Sequence, residues 1–437
     1  MLIHQFYDQG LAQASYAIIS EGQMAVIDPA RNINPYYDYA KEHNAKIVAV
    51  IETHLHADFV SSHLEIAAAT GAKVYVSRIA EVQYPHEEFD DGSSIRLGKV
   101  TLSAMNTPGH SPDSISILLR DEDRRPYSVF TGDTLFAGDI GRPDLRESEF
   151  DTKENLANVL YYSLHRRILQ LPDDVLVYPA HGPGSLCGKN LGPELFTTIG
   201  KEKSANPLLQ LSCKKDFVDQ LLKDQPYVPK YFSYDVQQNR KGALCPVASI
   251  NNLSHLPANY AFSPDDLIID VRPKELFKAG HHKGAFNIPL IKTFETWLGS
   301  IIDPNEKFYI VGSATEAACY RAASIGYEVN VKGISETAEG DAKSATLDLE
   351  DFTNHRGNYT IVDVRNDSEV AAVKIFPEAI HIPLPNLRER VGDIVTTKPI
   401  VVHCAGGTRS AIAASLLEKY LPTKIFDLGE VINRFVY

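Results

Sequence analysis

Basic residues are in deficit: 43 Lys and Arg stand against 56 Asp and Glu, a formal net charge of −13. So acidic a chain is poorly suited to nucleic-acid phosphates or an anionic membrane surface, and neither is expected as a partner. A local basic patch could still take a small anionic substrate. No apolar run reaches transmembrane length, and Met1 to Gly10 lacks the basic-then-apolar pattern of a secretory leader. Cysteines are few: five, an odd number, widely scattered. That pattern excludes a disulfide framework and fits a reducing cytoplasm. What is present, 44% hydrophobic and 23% charged, is ordinary globular composition over 437 residues, enough for two or three buried cores.

Short β-rich runs alternate with loops and helical stretches through the first part of the chain. Strands are expected at Gln23–Ile27, Lys46–Ile51, Lys73–Val76, Val100–Ala104, Ser114–Leu119, Tyr127–Phe130 and Val175–Tyr178. Several run into polar or Gly-rich clusters: Thr53-His54-Leu55-His56-Ala57-Asp58, Pro108-Gly109-His110, Gly132-Asp133 and Ala180-His181-Gly182. A rigid β scaffold delivers ligands in this way, on loops at strand ends. A helix is expected to start near Ser61, and Leu208 to Tyr234 reads as a helix with a Pro-rich exit that closes this domain.

The rest of the chain repeats itself. Leu267-Ile268-Ile269-Asp270-Val271-Arg272 returns as Thr360-Ile361-Val362-Asp363-Val364-Arg365, and Gly284-Ala285-Phe286-Asn287-Ile288-Pro289 as Glu378-Ala379-Ile380-His381-Ile382-Pro383. Two copies of a small α/β domain are implied, not a solenoid. Three domains follow: 1–240, 255–345 and 350–437.

A lone surface histidine carries no information, but here three separate loops each supply a ligand type after a strand. Thr-His-Leu-His-Ala-Asp, Thr-Pro-Gly-His110, Thr-Gly-Asp133 and Pro-Ala-His181-Gly together resemble the metallo-β-lactamase superfamily over roughly 1–240. The resemblance implies an α/β multidomain chain that opens with an αββα sandwich, with metal at one edge. Dinuclear zinc hydrolases of that superfamily carry His-x-His-x-Asp-His; the last position here is Phe59, which cannot coordinate. Thr131-Gly132-Asp133-Thr134-Leu135-Phe136, followed by Gly141-Arg142-Pro143-Asp144-Leu145, is similar to the persulfide dioxygenase family. That resemblance implies one Fe(II) per chain held by His54, His110 and Asp133. Such a two-His, one-carboxylate set leaves open positions for a thiolate and O2, which zinc could not use for oxidation. His56, Asp58 and His181 would then orient ligands or water. Some members of the family keep a His where Phe59 stands, so Phe59 speaks against a second metal without identifying iron. Arg142 either contacts the anionic tail of the substrate or pairs with Asp144. Cys187 either lines the substrate entrance or is a buried, inert thiol.

In the second repeat, Val401-Val402-His403-Cys404-Ala405-Gly406-Gly407-Thr408-Arg409-Ser410 runs from a strand into a helix. Backbone N–H groups of the loop and helix N-terminus would converge on Cys404 and favour its thiolate or a bound anion. A sulfur carrier needs such a nucleophile. Tyrosine phosphatases share the His-Cys loop, but their spacing from Cys to Arg is one residue longer than the four found here. With the Asp363-Val364-Arg365 element, the segment resembles an active rhodanese domain with Cys404 and Arg409 catalytic; the alternative is a buried structural cysteine. The first repeat has Tyr309-Ile310-Val311-Gly312-Ser313-Ala314-Thr315-Glu316 at that place, and its nearest thiol, Cys319, falls within the expected helix. It reads as a spacer or docking surface.

The domain order resembles bacterial fused persulfide dioxygenase–sulfurtransferases of sulfide detoxification. Implied partners are O2, sulfite and a low-molecular-weight thiol persulfide of glutathione, coenzyme A or bacillithiol type. A homo-oligomer is compatible with the chain and not specified by it. Two other readings stand beside this one: a mononuclear thioester hydrolase similar to glyoxalase II with appended rhodanese domains, and a non-enzymatic sulfide-responsive or sulfur-delivery scaffold.

Overall fold

The structure, a computed structural model, describes residues 1–149, 151–211 and 213–435. Phe150 in the expected 1–240 domain, Ser212 in the expected helix, and Val436 and Tyr437 at the end of the expected 350–437 repeat lie outside the described residues. The chain forms two compact units, Met1–Cys245 with Ser324–Gly326, and Pro246–Ala323 with Tyr327–Tyr437.

Two six-stranded sheets build the first unit. One runs in sequence order: β1 (Leu2–Asp8), β2 (Gln13–Ser20), β3 (Gln23–Ile27), β4 (Lys46–Ile51), β5 (Lys73–Val76) and β6 (Glu87–Glu88). The other contains β7 (Ser94–Leu97), β8 (Val100–Asn106), β9 (Ile115–Arg120), β10 (Pro126–Gly132), β11 (Leu176–Pro179) and β12 (Thr197–Thr198), in the reverse spatial order. The period-2 pleat sorts their side chains. Tyr16, Ile18, Ala25, Ile27 and Ile51 of the first sheet meet Leu102, Ile115, Ile117 and Phe130 of the second in a shared core. Ala17, Met24, Val26 and Val50 face outward onto Tyr36, Ala40 and Ile66 of helices Asn34–Glu42 and His63–Thr70. On the far side, Leu118, Val129 and Val177 meet Leu160, Leu164, Phe217 and Leu221 of helices Lys153–Arg166 and Lys214–Leu222. The αββα sandwich expected from the motifs is what this layering produces.

β1 and β2 were not expected. β2 is buried on both faces, so Gln13 to Ser20 shows no polar alternation to read. The segment 208–234 also differs: helix Lys214–Leu222 ends before the Pro-rich stretch, and a further helix, Phe232–Lys241, begins after it.

Each repeat of the second unit forms its own parallel sheet. The first is ordered β13 (Ser254–His255), β17 (Val331–Ser335), β16 (Phe308–Val311), β14 (Ile268–Asp270), β15 (Phe286–Asn287). The second is ordered β19 (Ile380–His381), β18 (Thr360–Asp363), β20 (Ile400–His403), β21 (Ile425–Asp427). Central strands β14, β16, β18 and β20 are buried throughout, as strands covered by helices on both faces must be. Among the described residues, no helix is long and apolar enough to cross a membrane.

Candidate metal centre and cysteine loop

The loops that follow β4, β8, β10 and β11 converge. His54 Nε2 lies 3.9 Å and His110 Nε2 3.4 Å from the same oxygen, Asp133 Oδ2, and all three side chains are buried. Two glycines make this approach feasible. Gly132 has φ +52, and a Cβ there would stand 2.5 Å from Thr53 Oγ1; a Cβ on Gly141 would stand 1.8 Å from the Asp133 carbonyl oxygen.

Neighbouring groups set the orientation of each ligand. His110 Nδ1 donates to the Arg142 carbonyl at 2.9 Å. Thr53 Oγ1 donates to Asp28 Oδ2 at 2.8 Å, so its lone pair accepts the His54 Nδ1 proton at 3.0 Å. Both Nε2 lone pairs are thereby left facing Asp133 Oδ2, a buried oxygen with no hydrogen-bond partner. Burial lowers the pKa of both imidazoles, most strongly His54. Burial works the other way on Asp133, but the charged His181 hydrogen-bonded to it leads the groups that hold the carboxyl far below its usual range. Two neutral imidazoles and one carboxylate are the protonation states a metal ligand set requires. The orphaned oxygen between them is the place for a cation, and the residues fit a divalent metal.

His181 donates to Asp133 Oδ1 at 2.8 Å, and its Nε2 lies 2.8 Å from Asp58 Oδ2. Burial opposes a charge on this ring, but the two carboxylates flanking it raise its pKa well above normal. His56 is turned away from the centre. Its Nε2 is 3.1 Å from Asp28 Oδ1 and 3.5 Å from Glu52 Oε2, and, against the effect of burial, Asp28 and Glu52 push its pKa up to about 9. His56 reaches His54 through Asp28 and Thr53 and also directly, the two rings lying 4.3 Å apart. Sequence reading missed Asp28 and Glu52, although Asp28 also stands at a strand end. Phe59 is buried with its ring 4.3 Å from that of His56.

Arg142 is 1% exposed, and its donors are taken up. Nε and Nη2 each donate to an Asp144 oxygen at 2.7 Å, Nη2 to the Pro226 carbonyl at 2.6 Å, and Nη1 to those of Leu186 and Tyr227 at 3.2 and 3.4 Å. Of the two readings the sequence left open, the pairing with Asp144 is the one present, and a guanidinium so occupied anchors its loop and, through its own carbonyl, His110. Cys187, read as an entrance residue or a buried thiol, is buried. It is 1% exposed, burial pushes its thiol well up, and its sulfur shares a cluster with Asp58 and His181 whose donor atoms lie within 4.8 Å of one another.

In the second unit, β20 delivers Cys404 to the start of helix Thr408–Tyr420. Gly407, at φ +88, donates its N–H to Cys404 Sγ at 3.1 Å. Arg409 is clamped by Glu369 at 2.5 and 2.7 Å, a partner that sequence reading missed. The repeated Asp-Val-Arg element proves to be an internal ion pair in both copies, Asp363–Arg365 and Asp270–Arg272, each at 2.6 Å. In the first repeat Gly312 follows β16 where Cys404 follows β20, and a Cβ there would stand 2.9 Å from Arg272 Cγ. Cys319 is buried within helix Thr315–Ala323, and burial pushes its thiol up to about 12.

Residues 8–181 match the family model described as the metallo-beta-lactamase superfamily, and 258–335 and 348–433 match that of the rhodanese-like domain. The mitochondrial persulfide dioxygenase ETHE1 of Homo sapiens is 31% identical over 195 residues, 44% of this chain and 69% of that protein. A hydroxyacylglutathione hydrolase of Francisella tularensis subsp. novicida is 29% identical over 177 residues, 40% of this chain and 65% of that one. Among solved structures, a metallo-beta-lactamase from Staphylococcus aureus subsp. aureus COL has a TM-score of 0.69 and 32% identity, covering 76% of this chain and 98% of that one.

Proposed function

This chain belongs to the persulfide dioxygenase family of the metallo-β-lactamase superfamily and carries a pair of rhodanese-like domains, and on that premise we propose a two-step treatment of persulfide sulfur. In the first step a low-molecular-weight thiol persulfide, with O2 and water, gives the thiol, sulfite and two protons. In the second, sulfite and another persulfide give thiosulfate and thiol. The domains proposed for these steps are 1–240 for oxidation and 350–437 for transfer, with 255–345 lacking a nucleophile.

One observation carries the first step: the Nε2 atoms of His54 and His110 both face Asp133 Oδ2, a buried carboxylate oxygen with no hydrogen-bond partner. Iron(II) bound by His54, His110 and Asp133 would supply the redox capacity and the open positions for thiolate and O2. The chain's own residues do the rest. Charged His181, backed by Asp58, fixes Asp133 through Oδ1 and leaves Oδ2 free. Asp28, through Thr53, keeps the proton of His54 on Nδ1, and Arg142, through its carbonyl, does the same for His110. A second metal of the dinuclear hydrolase kind would find Phe59 in place of one of its ligands.

For the second step, Cys404 as thiolate attacks the outer sulfur of a persulfide; the S–S bond breaks and the thiol leaves with a proton. Sulfite then attacks the sulfur held on Cys404, thiosulfate departs and the thiolate is regenerated. The Gly407 N–H, aimed at Sγ, stabilises the thiolate before attack and after thiosulfate departs. Arg409, adjacent to the loop, meets the anionic acceptor. Turnover of synthetic glutathione, coenzyme A and bacillithiol persulfides, followed by O2 electrode and ion chromatography, tests the reading. Sulfite and thiosulfate together are expected to equal the O2 consumed. Hydrolysis of thioesters with no O2 uptake from any persulfide would refute it.

A further inference from the structure

The repeat without a nucleophile has no chemistry in this scheme, yet its helix Lys274–Ala279 faces the turn that follows β21 in the active repeat. Lys278 Nζ lies 2.7 Å from Asp427 Oδ2, whose side chain is 2% exposed. The other oxygen of Asp427 accepts the Gly429 N–H at 2.9 Å, closing a turn in which Gly429 has φ +59. The next residue packs directly on the cysteine loop: a Cβ built on Gly407 would stand 3.0 Å from Glu430 N and 3.1 Å from its carboxyl carbon. Gly407 is the residue whose N–H holds Cys404 Sγ. Beside this line, Asn287 N of β15 donates to Ser415 Oγ at 2.9 Å, joining the nucleophile-free repeat to the helix that carries the loop.

We propose that Lys278 is a positioning residue for Cys404: by holding Asp427 it fixes the Asp427–Glu430 turn against Gly407, and so aims the Gly407 N–H at the sulfur. The first repeat then completes the active loop of the second. The proposal rests on Cys404 carrying sulfur, as read above. Lys278 matters more than Lys274, which reaches Glu430 from the same helix, because the Glu430 side chain is 65% exposed and its pair is screened by water. Asp427 is a buried carboxylate, and a buried charge that loses its partner forces its surroundings to rearrange. That rearrangement would occur one contact away from the reacting sulfur.

Full-length Lys278→Met is assayed for sulfur transfer from persulfide to sulfite, with O2 uptake by the same preparation as a control. The expected result is a fall in kcat of about tenfold, with KM for persulfide changed by less than about twofold, since a small misplacement of a reacting group is enough to lose this much. Lys278→Arg restores most of the rate, and O2 uptake is unchanged. Because Lys278→Met strands a buried carboxylate, the pair is also removed together. Lys278→Met/Asp427→Leu should recover stability while kcat stays low. Wild-type kcat in the double variant, or in Lys278→Met itself, would overturn the proposal. Absence of any transfer in the wild type would instead refute the role of Cys404.

Discussion

Replacing Arg142 separates anchoring from substrate binding more sharply than any other single change. In Arg142→Met, Asp144 loses both charge-assisted hydrogen bonds and the carbonyls of Leu186, Pro226 and Tyr227 lose their donor. Breaking one side of a buried ion pair costs about 3–5 kcal/mol. The Asp144 side chain is 15% exposed, so water partly replaces the guanidinium and the lower end, about 3 kcal/mol, is the better figure. For a unit of this size that is a fall in Tm of about 6–12 °C. His110 should also lose its hold on the Arg142 carbonyl, so kcat for O2 uptake and retained metal should fall together. Calorimetry and O2 electrode measurements on the full chain, with increasing persulfide, check both. Arg142→Lys should rescue little, because an ammonium cannot match the two-pronged contact with Asp144. An unchanged Tm with KM for persulfide raised tenfold or more, as expected of a substrate contact, would refute this reasoning.

Cys404→Ser should keep O2 uptake from persulfide and shift the product from thiosulfate to sulfite, as read by ion chromatography; loss of O2 uptake at normal metal content would mean that Cys404 feeds the metal centre. Cys319→Ser should leave sulfite and thiosulfate formation unchanged, since its thiol is buried in a helix; a substantial loss of transfer by folded protein would show that it reacts. Glu306 is pulled two ways: burial raises its pKa, but Arg388, at 2.7 and 2.8 Å, outweighs this and leaves it below normal. A depressed folded pKa means that the pair's stabilisation is present above the unfolded value of about 4.3 and is lost as pH falls through the folded one. Glu306→Gln should therefore flatten the acid limb of the stability curve below about pH 4.5, and an unaltered limb would remove Glu306 from the account.

The parts of the site legible in the sequence were those held by contiguous residues at strand ends. His54, His110, Asp133 and His181 each follow a β-rich run, and it was the family resemblance that assigned three of them to one centre. Long-range pairing was not. Nothing near His56 announces that it turns from the centre toward Asp28 and Glu52, and nothing near Arg409 names Glu369, which lies forty residues away. Arg142 was a balanced choice in the sequence because Asp144 is adjacent; the three carbonyls that complete its environment come from distant loops. The fold followed the same rule. Strands with one wet face, or ending in a polar cluster, were visible, whereas β2, dry on both faces, gave no periodic signal. The Asp-Val-Arg repeat was visible as text, but only the structure shows that it is an ion pair that persists in a copy without a nucleophile.

The most direct test of the account is the metal itself. Protein purified without oxygen should contain about one iron per chain by elemental analysis, and adding persulfide with O2 should yield sulfite plus thiosulfate equal to the O2 consumed. Asp133→Ala should lose the iron and O2 uptake together, yet still make thiosulfate when sulfite and persulfide are supplied. Two zinc ions per chain, thioester hydrolysis and no O2 uptake would contradict it.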